Sequence, residues 1–123
     1  MAFITDRKRV SGLGSARGGT AQHWTMTVTS VALLILTPFF LAVIGPALGS
    51  DHAEVVATLG RPVPALIVAA FLVVGMHHCR FGVQVLLEDY TRGMTRKLSV
   101  IATTILCYGI AAGGVVALMQ IAL

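Results

Sequence analysis

Gly75-Met-His-His-Cys-Arg-Phe-Gly-Val-Gln-Val-Leu-Leu-Glu-Asp-Tyr90 places two imidazoles and a guanidinium inside a long apolar segment, then ends it with two carboxylates and a phenol. An ionisable group at membrane depth costs about 2.5–3.5 kcal/mol on insertion scales, so it faces a cavity, a partner or a cofactor rather than lipid. The chemistry of the protein is therefore expected along this stretch.

The rest of the chain supports a membrane reading. Of its 123 residues 56% are hydrophobic and 11% charged, against about 45–50% and about 25% in soluble domains. Its mean hydropathy is +0.87. Three apolar segments, residues 26–48, 63–87 and 98–123, are each long enough to cross a bilayer, which takes about 20 residues of helix. The expected fold is all-α, with three transmembrane helices over about residues 26–48, 63–90 and 97–122. Residues 1–24 form a polar N-terminal arm and residues 25–123 a single membrane domain. The first 19 residues lack an apolar stretch followed by a small-residue cleavage site, so the arm is expected to persist.

Charge sets the expected orientation. Arg7, Lys8, Arg9 and Arg17 precede the first span, and Arg92, Arg96 and Lys97 lie between the second and third. The intervening loop holds Arg61 beside Asp51 and Glu54. By the positive-inside rule the N-terminus and second loop are cytoplasmic, and the first loop and C-terminus periplasmic. These basic residues flank membrane helices without interleaved aromatics, which excludes nucleic acid as a partner. Trp24 is placed for an interfacial belt at the inner rim.

Within the spans, Pro38 and Pro46 are expected to loosen the first helix, and Gly45-Pro46 to begin its outer end. Gly12, Gly14, Gly18 and Gly19 disfavour a long helix in the arm. Asp51 is a candidate N-cap for a short interfacial helix reaching Leu59. Gly109 and Gly113, four apart, predict a close packing face on the third helix, with dimerisation as the sharper alternative. Cys79 and Cys107 lack metal-site spacing and read as buried free thiols.

Helical geometry sorts the decisive stretch into two stripes. His78 and Asp89 are eleven residues apart, which at ~100° per residue returns within ~20° of the same face. His78, Gly82, Val85 and Asp89 share that face, and His77, Arg80, Phe81, Gln84 and Glu88 occupy the adjacent one. A histidine in hydrocarbon is a packed core residue, a proton-relay member or an axial haem ligand. Gly82, one turn beyond His78, removes the side chain that a flat macrocycle along the helix would strike. Asp89 and Tyr90, roughly 17 Å along the axis, read either as an interfacial anchor facing the loop arginines or as a quinone site. In the second case the phenol donates a hydrogen bond to a quinone carbonyl.

The pattern His78-x-Arg80-x-Gly82-x-Gln84-x-x-x-Glu88-Asp89-Tyr90 resembles the signature of the hydrophobic membrane anchor (D-type) subunits of bacterial succinate dehydrogenases, respiratory complex II. The arm Gly14-Ser15-Ala16-Arg17-x-Gly19-Thr20 before His23-Trp24 is similar to the same family's N-terminal motif. The resemblance implies a subunit that is not catalytic alone and sits in the bacterial inner membrane. It implies packing with a second three-helix subunit, cytochrome b, the two holding one haem b between them. His78 matches this subunit's axial iron ligand, with Gly82 beside it. Tyr90 and Asp89 match the ubiquinone-binding pair. A flavoprotein and an iron–sulfur subunit dock on the cytoplasmic side. Relatives carry an arginine about where Thr27 stands here, so no role of that arginine transfers. Arg80 is the candidate substitute near anionic groups of the cofactor, or else an ion-pair partner of a neighbouring subunit. Two other readings compete with the family's: a small proton-coupled transporter relaying through His77, His78 and Glu88, and a haem-free structural subunit with packed histidines.

Overall fold

The computed structural model describes residues 5–11 and 19–122, with the side chains of Arg9 and Ser11 left aside. Of the arm's residues, Gly12, Gly18 and the Gly14–Arg17 part of its motif lie outside the described residues. Among those described, every regular element is helical: α1 (Asp6–Ser11), α2 (Gly19–Ala47), α3 (His52–Leu59), α4 (Pro62–Tyr90) and α5 (Gly93–Ala122). The all-α architecture with three helices able to span a membrane is as expected.

The helices outrun their apolar segments. At 1.5 Å per residue, helices of 29, 29 and 30 residues are roughly 45 Å long, against a hydrocarbon core of about 30 Å. α2 begins at Gly19 instead of near residue 26, and α5 at Gly93 instead of near 97. Gly19 thus opens a long helix, and the arm expected over residues 1–24 gives its last six residues to α2. Apolar composition marks only the part of a helix that sits in lipid. Backbone hydrogen bonding carries the coil further into the interface, where polar side chains are tolerated.

Local chemistry explains the element ends. α2 continues through Pro38 and past Pro46 to Ala47. Gly49, at φ 88°, then takes the left-handed conformation that closes the helix. Asp51 occupies the N-cap position of α3 in extended conformation, as its sequence predicts, but its side chain makes no capping bond. Its carbonyl instead accepts the Glu54 and Val55 amides at 3.0 and 3.1 Å. Pro62 opens α4, where its missing N–H costs nothing. Thr91 caps the other end by donating its amide to the Leu87 carbonyl at 3.0 Å, and Gly93, at φ 63°, turns the chain into α5.

α4 is the middle helix. It packs against both α2 and α5, which do not touch each other, while α3 closes the end where α2 finishes and α4 begins. The α2–α4 contact stacks Phe40 on Phe71, with centroids 4.0 Å apart and planes 14° from parallel. The α4–α5 contact is a seam of Thr104, Cys107, Ala111, Gly114 and Leu118 on α5, spaced by threes and fours as interlocking helices require. Cys107, Ala111 and Leu118 are the buried residues among those described. A Cβ at Gly114 would overlap the Cδ2 of Leu72 on α4, whereas one at Gly109 or Gly113 would meet nothing. The close-packing glycine is therefore Gly114, and the expected Gly109–Gly113 face is open. Both cysteines are free, with Cys107 buried as expected but Cys79 exposed.

Candidate functional site

The middle position of α4 gives its two polar stripes different neighbours. His78 turns toward α2, where its Nδ1 lies 2.9 Å from the Thr29 hydroxyl. His77 turns toward α5 and shares a 3.1 Å hydrogen bond with the Tyr108 hydroxyl. Its ring meets Phe81 edge-on at 5.1 Å. Two adjacent histidines thus serve two separate helix interfaces.

The stripe of His77 continues along α5. Arg80 Nε donates to the Thr104 hydroxyl at 3.3 Å, and the guanidinium lies 4.4 Å over the Phe81 ring. Gln84 donates to Glu88 at 2.9 Å, and Glu88 pairs with Arg96 at 3.5 Å. Arg80 stands about 200° around the helix from His78. The fold therefore does not bring Arg80 beside His78, although both belong to the expected cofactor set. Thr104 and Tyr108, which sequence reasoning left without a role, are the hydroxyls that satisfy these groups.

The stripe of His78 is uncovered toward the end of α4. Gly82 is exposed, with nothing within 4 Å of an added Cβ, and Val85, Leu86, Asp89 and Tyr90 are exposed beyond it. Tyr90 is 83% exposed. Neither Asp89 nor Tyr90 makes a hydrogen bond or ion pair among the described residues. A cavity of about 280 Å³ opens beside this end, lined by Gly19, Gln22, His23 and Met26 of α2 with Val85 and Glu88 of α4. His78, Gly82, Val85 and Asp89 share one face of α4 as the helical repeat requires, exposed from Gly82 onward, and Tyr90 follows Asp89 about 100° further round.

This donor set fits a planar macrocycle better than a bare ion. Among the described residues no three His, Cys, Asp or Glu side chains cluster to hold a metal ion. His78 has one ring nitrogen engaged by Thr29, leaving the other to bind, and the next turn presents no side chain. Thr29 went unnoticed in the sequence. A hydroxyl in an apolar helix is usually consumed by its own backbone, and nothing in the spacing pairs it with a residue 49 positions away.

Comparison with known proteins places the chain in a family. A family described as succinate dehydrogenase/fumarate reductase transmembrane subunit matches residues 1–116. The succinate dehydrogenase hydrophobic membrane anchor subunit of Paracoccus denitrificans is 45% identical over 123 residues, covering all of this chain and 95% of that protein. No solved structure matches at a significant level. With three spanning helices and a match along nearly its whole length, this chain belongs to the succinate dehydrogenase/fumarate reductase transmembrane subunits, as a hydrophobic membrane anchor.

Proposed function

We propose that this chain anchors a succinate:quinone oxidoreductase, complex II, in the bacterial inner membrane, gives one axial ligand to a shared haem b, and forms part of the ubiquinone site. The observation that carries this reading is the face of α4 on which His78, held at one ring nitrogen by Thr29, is followed by exposed Gly82 and Asp89, with exposed Tyr90 next to Asp89 at the helix end. Ionisable groups at such a place call for an occupant from outside the chain.

The roles divide along this face. His78 is the iron ligand, and Gly82 leaves room for the edge of the ring. A bound haem b supplies a one-electron store within the membrane. At the other end, Tyr90 donates a hydrogen bond to a quinone carbonyl, and Asp89 holds the proton-bearing groups around it. The cavity lined by His23 and Met26 is this chain's share of the quinone pocket. A second membrane subunit of cytochrome b type would cover this face and complete the haem site. The flavoprotein and iron–sulfur subunits dock at the Tyr90 end and deliver electrons from succinate, so the chain is not catalytic alone.

The deciding experiment is a reduced-minus-oxidised spectrum of membranes carrying the assembled complex with His78→Leu. Loss or perturbation of the b-type bands is expected. An unchanged bis-histidine spectrum would assign the ligand to another residue.

A further inference from the structure

Thr29 does more than fill space beside His78. Its hydroxyl oxygen lies 2.8 Å from the Thr25 carbonyl and 3.0 Å from the Met26 carbonyl. Both carbonyls can only accept, so the single hydroxyl proton of Thr29 is committed to its own helix. What Thr29 offers His78 across 2.9 Å is then a lone pair. In the tautomer that matches this arrangement the imidazole donates Nδ1–H to it, which leaves the Nε2 lone pair unprotonated and available.

From this we infer that Thr29 is a positioning residue: it selects the tautomer of His78 and fixes the ring plane so that Nε2 is the binding nitrogen. The inference rests on the proposal that His78 is the haem ligand. A ligating histidine ordinarily gives its second N–H to an acceptor, which orients the ring and strengthens it as a donor, and losing that acceptor costs about 10–100-fold in metal affinity or activity. Here the acceptor is on α2 and the ligand on α4, so the packing of two helices is converted into the protonation state of one ring. The Phe40–Phe71 stack further along the same interface holds the two helices in register. No other side chain bonds His78 among the described residues.

The test uses the whole complex purified with its partners, carrying Thr29→Val, Thr29→Ala or Thr29→Ser, with His78→Leu alongside. Valine keeps the shape of threonine and removes the acceptor, alanine removes both, and serine restores the hydroxyl. With a weaker donor the ferric haem loses stabilisation. In valine and alanine variants the ferric form is expected to be disfavoured about tenfold, an upward shift of roughly 59 mV for a one-electron couple. Ring-orientation markers in the ferric electron-spin-resonance spectrum should broaden with it. Serine should return both to the parent values. If His78→Leu removes the haem while the valine or alanine variant keeps the parent potential and spectrum, Thr29 has no positioning role. If His78→Leu itself leaves the haem unaltered, the ligand assignment is at fault instead. Should the valine variant not assemble, the alanine–serine pair carries the same comparison.

Discussion

A tyrosine at the rim of a membrane helix can anchor to headgroups or hold a ligand, and Tyr90 is exposed enough to do either. The two uses separate on loss of the hydroxyl, because a weakened anchor lowers every activity of the assembled complex together, whereas a lost ligand contact lowers the quinone step alone. A hydrogen bond of this kind contributes about 1 kcal/mol, so Tyr90→Phe should weaken quinone binding roughly five-fold. Electron transfer from succinate to a soluble dye, which bypasses the quinone, should stay near the parent rate. Equal loss of both activities would mean that assembly had failed. At this scale the shared face of His78, Gly82, Val85 and Asp89 was legible from spacing alone, because residues on one helix need only the helical repeat to be placed together. What spacing could not reveal was the other helix: Thr29, Thr104 and Tyr108 became partners of His78, Arg80 and His77 only once α2 and α5 were packed on α4.

Between elements the informative residue is Gly114. Small-xxx-small spacing singles out Gly109 and Gly113, yet α5 approaches α4 one residue further round, along Cys107, Ala111, Gly114 and Leu118. A repeat of four residues states that two positions share a face; it does not state which face meets the neighbour. That choice is made by the shape of the partner, here the bulk of Leu72 on α4. Overpacking a tight contact costs about 1–3 kcal/mol. Gly114→Leu should therefore lower the thermal stability of the purified complex and drive α5 from α4. Gly113→Leu should leave this intrachain contact intact, readable as preserved disulfide cross-linking between cysteines introduced across the seam. If Gly113→Leu also abolished cross-linking, the seam would have been drawn on the wrong face. The lengths of α2 and α5 went unread for a related reason: hydropathy reports immersion in lipid, and both helices run past it.

For the whole molecule, three helices in a row with α4 between α2 and α5 leave no closed core. Such a row takes its support from what surrounds it, and under the proposed function that is lipid on some faces and another subunit against the His78 face. Its orientation must then come from charge, and the charges are lopsided. Arg92, Arg96 and Lys97 follow α4, and Arg7, Lys8, Arg9 and Arg17 precede α2, whereas Arg61 alone stands at the α3 end, beside Asp51 and Glu54. Basic residues are retained on the cytoplasmic side during insertion, and acidic ones contribute little to the choice. The N-terminus and the Tyr90 end of α4 should consequently face the cytoplasm, the side from which the proposed function has electrons arrive. Alkaline phosphatase fused after Gly60 or at the C-terminus should be active, and a fluorescent protein inserted after Arg92 should glow while phosphatase there stays silent. The opposite pattern would put Tyr90 and Asp89 at the outer face, out of reach of electrons entering from the cytoplasm, and the His78 face would then need a different occupant.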